Sequence, residues 1–195
     1  MLPTPRLTGK MPLEEVVKKR RSRRSFKDEP LRMEQLSQIL WAAQGITEGF
    51  KRAAPSAGAT YPLDLYVVAG KVEELETGVY HYDSSNHSIS LHAEGDFRTD
   101  LARACAAQGF IADAPVSIVI TAEYERTTQR YGERGIRYVH IEVGHVGQNI
   151  YLQAEALSLG TVAIGAFYDD EIAKLLRLPE GHQPLYVMPV GYVMQ

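Results

Sequence analysis

Cysteine is almost missing from the 195-residue chain. Cys105 stands alone, which excludes a disulfide framework and a thiolate metal site and suits a reducing compartment. Long apolar runs are missing too: none approaches the roughly 20 residues that cross a bilayer. The amino terminus, with Pro3, Pro5, Arg6 and Lys10, lacks the continuous apolar core of a secretory signal. A cytoplasmic protein with no membrane partner is expected. Nor is there an overall excess of positive charge, since the formal net charge is −3. Binding nucleic acid through its phosphates calls for basic charge spread along a face, so no nucleic-acid partner is expected. The zinc-helix pattern is absent as well. His140 and His145 are five residues apart and point about 140° away from each other on a helix of 3.6 residues per turn, so no metal is expected.

What is present is a sharply local charge. Residues 1–60 carry 12 Lys and Arg against 6 Asp and Glu, and the remainder carries 9 against 18. Six of the seven residues from Lys18 to Arg24 are basic. A helix from Pro12 through this run has Glu14 and Glu15 at its positive end and the basic residues at its negative end, with Leu13, Val16 and Val17 as its apolar stripe. The carboxyl end of a helix repels a phosphate, so an anion held there must be held by side chains, for which Arg forks and a Ser hydroxyl are suited.

Along the chain, residues 1–11 read as an arm that lies on a partner subunit, and residues 12–195 as one globular domain. Met33, Leu36, Ile39, Leu40 and Ala43 recur at helical spacing up to Gly45. The stretch from Gly45 to Pro62 reads as a loop of small residues whose free amides let a backbone approach a flat ligand. Leu63–Ala69 reads as a strand, Val79–Asp83 with Ser88–His92 as a hairpin, Asp96–Ala107 as a helix and Pro115–Ala122 as a fully buried strand. Residues 123–136 read as a polar surface excursion, and about Ile136–Leu159 as a long helix. A short strand and turn, a helix over Asp169–Leu176 and a last strand over Pro184–Val193 follow. Strands mixed with helices without regular alternation point to an α+β fold.

Arg20-Arg21-Ser22-Arg23-Arg24-Ser25-Phe26, Pro55-Ser56-Ala57-Gly58-Ala59-Thr60-Tyr61-Pro62 and Leu159-Gly160-Thr161-Val162-Ala163-Ile164-Gly165-Ala166-Phe167, in this order, resemble the nitroreductase family of flavoproteins. The run from Tyr131 to Tyr138, with Glu142-Val143-Gly144-His145 and Gln148-Asn149, looks most like its SagB-type dehydrogenase branch. The resemblance implies a central, mostly antiparallel sheet flanked by helices, in an intertwined homodimer that binds FMN at its interface. It implies that Arg20, Arg21, Ser22 and Arg24 hold the FMN phosphate and ribityl chain. Pro55, Ser56, Ala57 and Ala59 would approach the isoalloxazine from the other subunit, and Gln108 would meet its pyrimidine edge. Ile164, Gly165 and Ala166 would lie along the ring, with an amide near Gly165 or Ala166 directed at N5. No side chain acts as a catalytic nucleophile.

The implied activity is hydride transfer from NADH or NADPH through FMN to a small organic acceptor, a nitroaromatic or quinone. The lack of a Gly-rich dinucleotide fingerprint agrees with a nicotinamide that docks transiently. Alternatives are SagB-type oxidation of a peptide heterocycle or another carbon–heteroatom bond, and a non-catalytic flavin-binding protein. Two departures stand out: Ala59 lies where many nitroreductases have Asn or Arg, and Arg130-Tyr131 where azoline-oxidising relatives carry Lys-Tyr. Arg stays protonated near neutral pH and is a poor general base.

Overall fold

The computed structural model describes residues 1–194. Its centre is a six-stranded sheet in the order β5-β4-β3-β6-β8-β7, formed by β3 (Leu63–Ala69), β4 (Gly78–Asp83), β5 (Ser88–Glu94), β6 (Val116–Glu123), β7 (Gly160–Thr161) and β8 (His182–Gly191). Every neighbouring pair is antiparallel. β6 is buried on both faces from Val116 to Ala122 because helices cover both. An apolar run without alternation is the pattern such a strand requires.

On one face, α2 (Met33–Gln44) and the 23-residue α6 (Arg134–Ala156) set Leu36, Ile39, Leu40, Val139, Val143, Val146 and Ile150 against Leu65, Val67, Ile118 and Ile120. On the other, α3 (Arg98–Ala104), α4 (Phe110–Asp113) and α7 (Asp169–Leu175) pack Leu101, Ile111 and Ile172 against Val68, Val119 and Val187. The architecture is the expected α+β arrangement. Among the described residues, no helix is long and apolar enough to cross a membrane.

Four expectations change. Residues 123–136 are not an irregular excursion: α5 (Glu125–Tyr131) lies there and ends at Gly132, whose φ of 56° a glycine tolerates. Its sequence looks like a loop because most of its surface faces solvent and Thr127 is its one buried residue. The segment after α2 contains a small hairpin, β1 (Ile46–Glu48) with β2 (Lys51–Arg52), before a 3-10 turn at Ala57–Ala59. In α1 (Leu13–Lys19) only Val16 is buried, while Leu13 and Val17 are 62% and 55% exposed. The arm, finally, lies on its own chain. Leu2 enters the core, its N–H donates to His87 O, Pro3 O accepts from Ser37 Oγ at 2.6 Å, and Arg6 N donates to Gln38 Oε1 at 2.8 Å.

Candidate functional site

The basic segment leaves the carboxyl end of α1 and runs beside β7. Ser22 bridges to Thr161, and Arg23 N donates to Thr161 O at 2.9 Å. This approach requires Gly160, because a Cβ there would lie 2.8 Å from Arg23 Cβ and 2.3 Å from Val193 Cγ2. Tyr151 of α6 ties the segment down: its hydroxyl lies 2.9 Å from Ser22 Oγ and accepts from Ala163 N at 2.8 Å. The Arg20 guanidinium sits 5.1 Å from the centre of the same ring. Arg21 turns back, Nη1 donating to Lys18 O and Arg20 O at 2.9 and 2.8 Å. The guanidinium groups of Arg20, Arg23 and Arg24 have no carboxylate partner among the described residues. Their charge is free for an external anion, and the negative end of α1 leaves the binding to side chains.

Past β7, Ile164 is buried and exchanges backbone hydrogen bonds of 2.9 and 3.0 Å with Val187. Gly165 and Ala166 then emerge into solvent, and their N–H groups donate to nothing among the described residues. Gln108 reaches this turn, Nε2 donating to Cys105 O at 2.9 Å and to Ala166 O at 3.4 Å. The fold therefore gathers the basic segment, Gln108 and Ile164–Ala166 around one end of the sheet, with Tyr151 as the link. Cys105 is fully buried and burial pushes its thiol up to about 12, so it is packing material.

The Pro55–Ala59 loop lies elsewhere. Gly58, Ala59 and Tyr61 have φ values of 60°, 53° and 46°, left-handed positions interrupted by a right-handed Thr60, which cost about 1–3 kcal/mol at each non-glycine position unless neighbours enforce them. α5 supplies the enforcement. Arg130 Nη1 donates to Gly58 O at 3.2 Å, Thr127 Oγ1 meets Thr60 Oγ1 at 2.8 Å, and Arg126 Nη1 donates to Tyr61 O at 3.4 Å. A side chain at position 58 would strike the Tyr131 hydroxyl at 2.5 Å. The N–H groups of Ser56, Ala57 and Gly58 have no partner among the described residues. The loop borders a cleft of about 230 Å³ with Tyr138, Ile141, Glu142 and His145 of α6. Neither the arginines nor Ile164–Ala166 line it. Glu142 beside this loop and Tyr151 beside the basic segment are nine residues apart on α6, about 13 Å of helix axis.

Sequence reasoning assigned no role to Tyr151, Glu142 or α5. The signal for Glu142 was available: it is a lone carboxylate beside Val139, Val143 and Val146, and it is buried. Burial pushes its carboxyl up, while Ser56, Gln44 and Arg52 pull the other way. Tyr151 carried no such signal, because a tyrosine in a long amphipathic helix reads as ordinary packing. The two histidines of α6 serve different surroundings: His140 Nε2 is 2.6 Å from the Tyr124 hydroxyl, whereas His145 lines the cleft. A larger trough of about 550 Å³ lies between α3 and α7, lined by Phe97, Arg103, Tyr168 and Leu175 among others, and none of the expected site residues borders it.

The nitroreductase family model matches residues 17–192. A protein of Methanocaldococcus jannaschii provisionally named a nitroreductase is 52% identical over 181 residues, covering 92% of this chain and 90% of that one. A crystal structure from Ralstonia eutropha JMP134, also provisionally named a nitroreductase, superposes with a TM-score of 0.86 at 29% identity, covering all of this chain and 89% of that chain. The trifolitoxin-processing protein TfxB of Rhizobium leguminosarum bv. trifolii is 33% identical over 123 residues, 57% of this chain and 31% of the longer relative.

Proposed function

Because the chain belongs to the nitroreductase family of oxidoreductases, we propose that it binds FMN and passes hydride from NADH or NADPH to a small nitroaromatic or quinone acceptor. The observation that carries this reading is that a basic segment without carboxylate partners and a turn with unpartnered amides both adjoin β7. The segment bearing Arg20, Arg23 and Arg24 runs beside β7 through Ser22 and Arg23, and β7 leads to the free N–H groups of Gly165 and Ala166. Charge at one end and hydrogen-bond donors at the other fit a molecule with an anionic tail and a flat, acceptor-bearing head.

FMN, when bound, supplies a two-electron carrier between donor and acceptor. The chain orients it. Arg20, Arg24 and Ser22 hold the phosphate and ribityl chain, and Arg21 joins them by leaving the helix carbonyls it now caps. Gly165, Ala166 and the oxygen of Gln108 meet the ring edge. Pro55, Ser56, Ala57 and Ala59 approach from a second copy of the chain, in keeping with their separate position beside Glu142 of α6. Exposed apolar residues favour such a homodimer: Leu13, Val17 and Ile141 are each at least half exposed, and a groove of about 310 Å³ is lined by Leu13, Val16, Trp41 and Leu152 among others.

The test is an absorbance spectrum of the purified protein, then anaerobic titration with each nicotinamide. A yellow protein bleached by NADH or NADPH and restored by a quinone supports the reading; a colourless protein that takes up no FMN ends it. Arg24→Ala removes a charge-assisted contact worth about 1.5–3 kcal/mol and should weaken FMN retention at least tenfold. Unchanged retention would refute the clamp.

A SagB-type dehydrogenase acting on a peptide heterocycle is the second reading, favoured by the 33% identity to the trifolitoxin-processing protein. It places Arg130-Tyr131 beside the flavin-facing loop, where Arg130 is a hydrogen-bond donor to Gly58 rather than a base. Reduction of the bound flavin by an azoline peptide without nicotinamide would select it.

A further inference from the structure

Beneath the Pro55–Ala59 loop, Ser56 meets a group of side chains, Gln44, Arg52, Tyr61 and Glu142, that none of these roles uses. Arg52 Nη1 donates to Gln44 Oε1 at 3.1 Å, and the guanidinium lies 4.5 Å from the centre of the Tyr61 ring. Arg52 N donates to the Tyr61 hydroxyl at 3.2 Å, and Tyr61 N donates to Ser56 Oγ at 2.9 Å. Glu142 of α6 borders the same small cleft as Ser56. Glu142 is 2% exposed, and its Oε1 and Gln44 Nε2 are buried without a partner among the described residues.

A buried polar atom left unpaired costs about 1–3 kcal/mol. An apolar side chain would continue the stripe of Val139, Val143 and Val146 without that cost, so what the carboxyl faces has to account for it. Ser56 Oγ already accepts from Tyr61 N, and its own proton needs a second acceptor. Glu142, across the same cleft and with Oε1 unpartnered among the described residues, is a carboxylate acceptor beside it. The loop above is strained at Ala59 and Tyr61 and would relax if Ser56 were free to turn.

We propose that Glu142 is a positioning residue for the flavin-facing loop: it accepts the Ser56 hydroxyl, fixes Ser56 as the acceptor for Tyr61 N, and so holds the left-handed conformations of Ala59 and Tyr61 in the turn that presents the free amides of residues 56–58. This rests on the reading that the loop meets FMN. The test is a double-mutant cycle with Glu142→Ala, Ser56→Ala and the pair, read by amide exchange of residues 57–61 without flavin and by FMN affinity. Each single change should speed exchange of the hydrogen-bonded amides of residues 59–61 within that stretch and weaken FMN about tenfold, and the pair should do no more than either alone. Glu142→Gln keeps an acceptor oxygen and should recover most of both losses, whereas Glu142→Leu, which fills similar volume and guards against a cavity defect, should not. Wild-type exchange at residues 59–61 in Glu142→Ala or Glu142→Leu, or losses that simply add, would overturn the proposal. A wild-type protein that binds no FMN ends the flavin reading instead, and the exchange cycle still decides the role of Glu142.

Discussion

Gly160 and Gly144 make opposite predictions from the same substitution. At Gly160 a methyl group would collide with Val193 and with Arg23 itself, so Gly160→Ala must push the basic segment off β7. Overpacking of this kind costs about 1–3 kcal/mol, and FMN retention should fall with stability. Gly144 lies inside α6 with nothing within 4 Å of an added Cβ, and there alanine should stabilise by roughly 0.5–1 kcal/mol, as it does in helices generally. Urea denaturation of both variants checks the pair. Asp64 gives the pH dependence. Burial alone would raise its carboxyl, but His81 at 3.7 Å and the Arg126 guanidinium at 2.9 Å outweigh it and hold the group below its ordinary value. A depressed carboxylate contributes stability above its unfolded pKa, about 3.9, and loses it as pH falls through the lower folded value. Asp64→Asn should therefore flatten the acid limb of a stability–pH curve, and an unchanged limb would show that the pair with Arg126 contributes nothing. At this scale the arginines were legible because local charge cannot be cancelled by neighbours of the same sign. Tyr151 was not, since its importance comes from two partners, Ser22 and Ala163, that the sequence does not place beside it.

Elements were legible wherever burial imposed a period. β3, β6, α2 and α6 bury whole faces, and their bounds fall within a few residues of the apolar pattern. α5 was missed for the complementary reason: one buried residue cannot set a period, and Glu, Arg and Gln suit a solvated helix as well as a loop. Its function is legible only in three dimensions, where Arg126, Thr127 and Arg130 each hold one residue of the strained turn at 58–61. Thr127 is the interior contact. Thr127→Val keeps the shape but leaves the Thr60 hydroxyl with only its bond to Ala57 O, and should cost about 1 kcal/mol. Faster proteolysis within 57–61, with the rest of the chain still protected, is the expected outcome. Uniform loss of protection would instead make α5 a general stabiliser.

For the whole molecule, the decisive fact is that one chain separates the parts of the proposed site along α6. The basic segment and Gly165–Ala166 gather near Tyr151, the strained loop near Glu142. If two copies share each flavin, self-association and colour must be lost together. Val17 allows the test, because it is 55% exposed on α1, three residues before Arg20, and belongs to neither core cluster. A charge there desolvates badly in an apolar interface yet leaves the folded chain intact. Val17→Asp should sediment as a monomer, keep the circular dichroism of the wild type and purify without FMN, and added FMN should bind at least tenfold more weakly. A monomer that stays yellow would mean that one chain holds the cofactor unaided, and the loop at 55–59 would then need another ligand.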